Sequence, residues 1–174
     1  MQVETPSGAK LLRQKAKKVD HKDLASKAFK ALVTKMKKAL AREEYGVAIA
    51  APQVGSPVRV FVVAGRVFDD ESKSETQAPQ PPAGDRVFIN PELTRLSRKK
   101  TQMSEGCLSV RGRYGSVLRH ERATVRALDE HGRPFTYHGA GLIAQIFQHE
   151  VEHLEGILFT DNALRVWEDP ELEK

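Results

Sequence analysis

Two histidines four residues apart, in the run His149-Glu150-Val151-Glu152-His153, are the residues of this chain best suited to chemistry. On a helix, positions i and i+4 share one face, so both imidazoles can grip a single metal ion. Glu150 lies between them, close enough to act on a water activated by that ion rather than to bind the ion itself. Two histidines leave a site incomplete, because a catalytic metal ordinarily takes three protein ligands and keeps one open position. The third donor must come from elsewhere. Cys107, the only cysteine, is either a buried small apolar residue or a reactive or metal-bound thiolate. Its surroundings favour the last reading: Glu105-Gly106-Cys107-Leu108-Ser109 lies between strand-like stretches, and Gly106 lets the backbone approach an ion closely. One thiolate and two imidazoles make three ligands and leave a position for water. A third segment, Gly46-Val47-Ala48-Ile49-Ala50-Ala51-Pro52-Gln53, offers small residues against which a substrate backbone can lie, and a Gln53 amide N–H for a developing oxyanion.

These segments need elements to hold them. Residues 139–155 carry apolar residues at helical spacing and end near Gly156, which predicts the helix that bears the histidine pair. A second helix is predicted over 22–42, where Leu24, Phe29, Leu32, Val33, Met36 and Leu40 recur near a 3.6 period with lysines opposite. Residues 58–63 read as a β-branched strand, and 86–90 as another, limited by Pro91. Residues 123–129 and 134–137 flank Glu130-His131-Gly132-Arg133, a hairpin signal. The proline-rich stretch 69–85 reads as an exposed loop, 158–159 as a short strand, and the acidic tail from Glu168 as loose. Helices at both ends of short hairpin-linked strands predict an α+β fold, with antiparallel or mixed strands packed around the histidine-bearing helix, in a single domain over residues 1–174.

Composition bounds the function. Hydrophobic residues make up 40% and charged residues 29%, the balance of a soluble globular protein. No apolar run approaches membrane-spanning length and no secretory signal opens the chain. A lone cysteine excludes an internal disulfide, which fits a reducing compartment. The expected location is therefore cytoplasmic; the basic N-terminal run leaves an organelle lumen open. The net charge is +5, and between Lys10 and Arg42 there are twelve Lys or Arg against two acids, Asp20 and Asp23. That run is a solvated helix face or a surface drawn to a polyanion such as the ribosome. No recognition motif supports specific DNA or RNA reading.

Taken in order, the three segments resemble the peptide deformylase family, whose pattern is Gly-x-Gly-x-Ala-Ala-x-Gln, then Glu-Gly-Cys-x-Ser, then Gln-His-Glu-x-x-His. The last stands here as Gln148 to His153, and the similarity extends to Ile89-Asn90-Pro91-Glu92-Leu93 and covers most of the chain from Tyr45 to Asp161. The resemblance implies removal of the N-formyl group from nascent polypeptides that begin with formylmethionine, with release of formate. It implies that Cys107, His149 and His153 bind one divalent metal, Fe(2+) in this family, with Zn(2+), Ni(2+) or Co(2+) able to replace it. It implies that Glu150 is the general acid–base, that the Gln53 side chain and the Leu108 backbone N–H hold the oxyanion, and that the partners are formylmethionyl nascent peptides. Val47, Ala48, Gly106, Leu142, Gln145 and Ile146 are the corresponding substrate-binding positions.

Several residues depart from the family pattern. Ala48 replaces its second glycine, Glu152 replaces its aspartate, and Arg111 replaces a proline, with Arg113 and Tyr114 also unusual. Glu152 is expected to pair with Arg119 and orient the helix. Gln145 falls where the family lines an apolar pocket, so either its amide turns to a backbone partner or the preference at the first residue of the peptide shifts. Some relatives carry a long basic C-terminal helix that contacts the ribosome; here the Lys-rich first helix is the candidate for such contact. Two other readings remain at this stage: a deformylase-like protein that binds formyl-peptide ends or the ribosome without turnover, and an amidase on other N-acyl peptides.

Overall fold

The computed structural model describes residues 1–2, 5–69 and 84–168. Elements follow in the order α1 (Pro6–Leu12), α2 (Lys27–Leu40), β1 (Ala48–Ala50), β2 (Val60–Val63), α3 (Arg66–Asp69), β3 (Arg86–Leu96), β4 (Lys100–Cys107), β5 (Val110–His120), β6 (Arg122–Leu128), β7 (Pro134–Ala140), α4 (Gly141–Leu154), α5 (Phe159–Asn162) and β8 (Arg165–Glu168). Two antiparallel sheets result, a five-stranded one in the order β1-β2-β3-β6-β7 and a three-stranded one in the order β4-β5-β8. The α+β expectation agrees with this architecture. All strand pairs between these elements are antiparallel; one isolated parallel bridge joins Lys17 to Val58.

Helix α4 lies between the sheets. Most of its side chains are buried, the pattern of a helix packed on more than one face. Ile143, Phe147 and Leu154 enter the large core against the five-stranded sheet, where Phe147 meets Phe88 at a 5.3 Å centroid distance and Phe88 stacks on Phe61 at 4.6 Å. The opposite side of α4 carries the histidines toward the three-stranded sheet. The helix stops at Gly156, whose φ of 79° suits only glycine without strain. A Cβ there would also sit 2.5 Å from the Arg13 carbonyl oxygen.

The structure corrects several local expectations. Helix α2 begins at Lys27 rather than 22, because the Ser26 hydroxyl accepts from Phe29 N–H at 3.1 Å and caps it there. Pro91 does not end its strand: β3 runs on to Leu96. The register shifts between Ile89 and Glu92, so the proline sits in a bulge where its missing N–H breaks no ladder. Asn90 takes a φ of 50° at that bulge and its amide bonds both the N–H and the C=O of Val19, at 2.8 and 2.9 Å. Residues 158–159 are not a strand; Asp161 accepts from Leu158 N–H at 2.9 Å and closes the turn of α5. Strand β8, which pairs Trp167 with Tyr114, ends in Glu168, so the tail begins later than expected. Residues 70–83 of the expected loop and 169–174 of the tail lie outside the described residues.

Candidate active site

Strands β4 and β5 form a hairpin whose turn is Leu108–Ser109, with Cys107 facing Val110 across it. This hairpin brings Cys107 up to α4. The candidate ligand atoms of Cys107, His149 and His153 all lie within 4.8 Å of one another. Cys107 Sγ is 3.1 Å from His153 Nε2, and the two rings stand edge to face at 4.8 Å between centroids. His149 Nδ1 lies 3.0 Å from Glu105 Oε2, which fixes the ring and turns its Nε2 toward the other two donors.

The electrostatics favour the donor form of Cys107, with His149 as the charged partner that a metal ion would replace. Burial pushes the Cys107 thiol up, but the adjacent His153 and His149 outweigh it and bring the thiol well below its ordinary range. A thiolate is the form that binds metal. Burial lowers the basicity of His149, yet hydrogen bonds to Cys107 and Glu105 outweigh that and raise it. One sulfur and two ring nitrogens, converging and partly charged, fit a transition metal of borderline softness. Glu150 is buried beside them, its Oε2 without a hydrogen-bond partner among the described residues. Burial raises its pKa above the ordinary carboxylate range, as suits a group that must both take and return a proton near neutrality.

A cleft of about 560 Å³ opens onto this cluster. Its lining includes Gln53, Cys107, Leu108, His149 and Glu150, together with all six expected substrate positions: Val47, Ala48, Gly106, Leu142, Gln145 and Ile146. Arg111, Arg113 and Tyr114 border it as well. A Cβ on Gly106 would meet the Tyr114 ring at 2.8 Å, so any larger residue there would have to displace that exposed ring. Gln53 accepts from Ala50 N–H at 2.7 Å and directs its amide nitrogen to Ser109 Oγ at 3.2 Å and Cys107 Sγ at 3.5 Å. The Leu108 N–H belongs to the hairpin turn, outside both strands. Gln145 turns its amide nitrogen away to the Ser104 carbonyl at 2.8 Å and to Glu105 at 3.2 Å.

Behind the ligands lies an ion network. Arg119 is 3% exposed and contacts both oxygens of Glu105, at 2.5 and 2.8 Å, and both of Glu152, at 2.6 and 2.7 Å. The expected Arg119–Glu152 pair is present, and Glu105 is the residue that sequence reasoning quoted without assigning it a task. A signal existed: in a strand, Glu105 shares the face of Cys107 two residues on. Gln148 was passed over too. Its amide bonds both the N–H and the C=O of His120, each at 2.9 Å, and ties α4 to the end of β5.

A helix-borne histidine pair, a thiolate on a hairpin and a buried glutamate in one cleft define a metal-dependent hydrolase arrangement. The polypeptide deformylase family profile matches residues 4–167, and the chain belongs to that family. It is 40% identical over 154 residues to peptide deformylase 1 of Clostridium perfringens, a match covering 88% of this chain and 92% of that one. It is 43% identical over 116 residues to the peptide deformylase of Treponema pallidum, covering 67% of this chain and 62% of that protein's length. The fold is similar to a Met-Ala-Ser-bound class I type b peptide deformylase from Acinetobacter baumannii, with a TM-score of 0.74, 33% identity and coverage of 87% and 91% of the two chains.

Proposed function

We propose that this chain, acting as one domain, hydrolyses the N-formyl group of peptides beginning with formylmethionine and releases formate. The observation that carries the reading is the convergence of Cys107, His149 and His153 within 4.8 Å, with Glu150 buried alongside and the cleft opening onto all four. Those three residues hold one divalent ion, ferrous iron on this reading, with zinc, nickel or cobalt as substitutes. When bound, the ion supplies Lewis acidity and lowers the pKa of a water.

The chain's own groups do the rest. Glu150 takes the proton of the water whose oxygen adds to the formyl carbon. It then gives a proton to the amine nitrogen as the C–N bond breaks. The Gln53 N–H that points to Cys107 Sγ and the Leu108 backbone N–H donate to the formyl oxygen as it gains charge. Leu142 and Ile146 supply apolar walls for the first side chain, and the Gln145 amide, turned to Ser104, leaves that pocket able to take methionine. The Acinetobacter relative carries a peptide with methionine first.

The partners on this reading are nascent formylmethionyl chains in the cytosol. No helix of the described residues is long and apolar enough to cross a membrane. Lys27, Lys30 and Lys38 on α2, and Arg42 just after it, are exposed without an ion pair among the described residues, which supports contact between that helix and the ribosome.

The test is anaerobic formate release from a short formyl-Met peptide by iron-loaded protein, beside Glu150→Ala. Rapid release by the first and loss in the second is expected. No release by either supports peptide binding without turnover, and equal release removes Glu150 from the chemistry. Activity lost in air and restored by anaerobic iron supports iron; an iron form stable through prolonged aeration does not.

A further inference from the structure

The far end of β4 from Cys107 carries a concentration of cations with no part in the cleft. Among residues 95–100, Arg95, Arg98, Lys99 and Lys100 are basic and exposed, and Arg122 joins them where β6 begins. Lys99 pairs with Glu121 at 2.8 Å. Arg95, Arg98, Lys100 and Arg122 make no ion pair among the described residues, although Arg122 lies near enough to Glu121 to help lower its carboxyl. The platform beneath them is braced. Ser97 N–H donates to the Arg122 carbonyl at 3.0 Å, Arg122 N–H to Ser97 Oγ at 3.1 Å, and Glu121 N–H to the Lys99 carbonyl at 3.1 Å. His120 Nδ1 contacts the Ser97 carbonyl as well. The links β3–β4 and β5–β6 thus lock each other, and four free cations project from a preorganised surface, which lowers the ordering cost of binding.

The geometry points to this double turn as a docking surface for the phosphate backbone of duplex RNA. Three of the four free cations are arginines, whose planar forks match phosphate oxygens. No Phe, Tyr or Trp lies in residues 94–101 or 120–122, and the one ring there, His120, is half-buried and held by the Ser97 carbonyl, so single strands lose their usual stacking platform. Duplex RNA, read by shape and backbone, needs none. Leu96 is the one exposed apolar residue of the turn, too little apolar area for an anionic membrane to hold. Seven residue steps of extended β4 separate Lys100 from Cys107, about 24 Å at ~3.4 Å per step. RNA on the turn therefore leaves the cleft open to a peptide. The choice of RNA over DNA rests on the deformylase reading.

The experiment measures binding of a fluorescent RNA duplex of about 16 base pairs by anisotropy across about 50–200 mM salt. It compares the unaltered protein, the variant Arg95→Ser/Arg98→Ser/Lys100→Ser/Arg122→Ser, and a second variant, Lys27→Ser/Lys38→Ser/Arg42→Ser, on α2 and the residues just after it. Four lost phosphate contacts should flatten the slope of log affinity against log salt by about 3–4 and weaken binding at least ~10-fold near 0.1 M salt. Circular dichroism and formate release from a free formyl-Met peptide should match the unaltered protein, since all four side chains are exposed and outside the cleft. A turn variant that binds with unchanged affinity and slope overturns the proposal. So does binding lost in the α2 variant while the turn variant stays within about twofold, or tighter binding to phosphatidylserine–phosphatidylcholine vesicles than to RNA. Absence of formate release in every preparation, with RNA binding behaving as stated, refutes the deformylase reading and leaves the cationic surface standing.

Discussion

The two sheets are held by different forces. The five-stranded sheet buries a broad apolar cluster, with Phe61, Phe88 and Phe147 fully enclosed. The three-stranded sheet has a small one: Leu12, Val110, Val117, Leu158 and Phe159. What fastens it to α4 is directional polar contact: Arg119 between Glu105 and Glu152, with Gln145 and Gln148 bonded to the backbone of β4 and β5. Apolar packing is non-directional and tolerant of small shifts. A bidentate guanidinium between two carboxylates tolerates few. The part of the molecule that gathers one sulfur and two ring nitrogens within 4.8 Å of one another is thus the part fastened by directional bonds. The large sheet supplies stability and the small one position.

The largest effect that would sharpen this contrast comes from Glu150. On the proposed mechanism its carboxylate moves the protons, and it fastens neither sheet. Glu150→Ala should lower kcat by about 10²–10⁴-fold with metal content unchanged. Its thermal midpoint should not fall, because a buried oxygen without a partner is removed. A variant that unfolds in proportion to its lost activity would break the separation.

Phe88→Ala strikes the other side. The ring is fully buried against Phe61, Phe135 and Phe147, so the loss should be about 3–5 kcal/mol of stability in urea denaturation. Metal bound per folded molecule should stay near that of the parent. Metal affinity that falls with stability would mean that the large core also sets the site.

Glu105→Gln comes next in size. Burial alone raises the Glu105 carboxyl, but hydrogen bonds from Arg119 and His149 outweigh it and lower it to about 2. The neutral amide loses most of its hold on both. Metal affinity by chelator competition should fall about 10–100-fold, while the large sheet, read by the protection of β2 and β3 amides, should be unaffected. Equal affinity in the two proteins would show that Glu105 does not orient His149.

How much of this contrast is visible in the sequence follows from the range of the forces. The strand at Val60–Val63 and the helix around Phe147 are legible because β-branched runs and a 3.6 period act locally. The candidate metal-binding trio is legible because few residue types bind metals, and the two histidines keep a fixed spacing on one helix. The Arg119 network is harder, since it depends on the register of β5 against β4 and on the rotation of α4, neither of which any short segment encodes. The Arg119–Glu152 pair is within reach because a glutamate is one methylene longer than the aspartate of the family pattern; Glu105, two residues from Cys107, carries no such signal for its bond to His149 on a distant helix. At residues 158–159 two apolar side chains suit a strand as well as a turn of helix, and only the Asp161 cap decides. Pro91 misleads because a bulge can absorb it, and the left-handed Asn90 that makes the bulge is secured by Val19, far away in sequence.

The smallest effect tests whether charge fastens the small sheet generally or only where it is buried. Arg13, just after α1, makes two contacts with Asp161 of α5 beside the small cluster, but the side chains are 44% and 35% exposed. The hydrogen bond from Arg13 is the main cause that lowers the Asp161 carboxyl below its ordinary 3.8. A depressed carboxylate contributes stability that is present above its unfolded value and is lost as pH falls through its folded one. Arg13→Gln should therefore cost less than about 1 kcal/mol at neutral pH, a thermal shift of no more than ~2–4 °C for a chain of this size. The gap from the parent should close as the pH falls below 3.8. Salt near 1 M should shrink it too, because exposed pairs are screened. A larger loss, insensitive to salt, would mean that the exposed pair fastens the small sheet as firmly as Arg119 does, and burial would no longer be what separates the two.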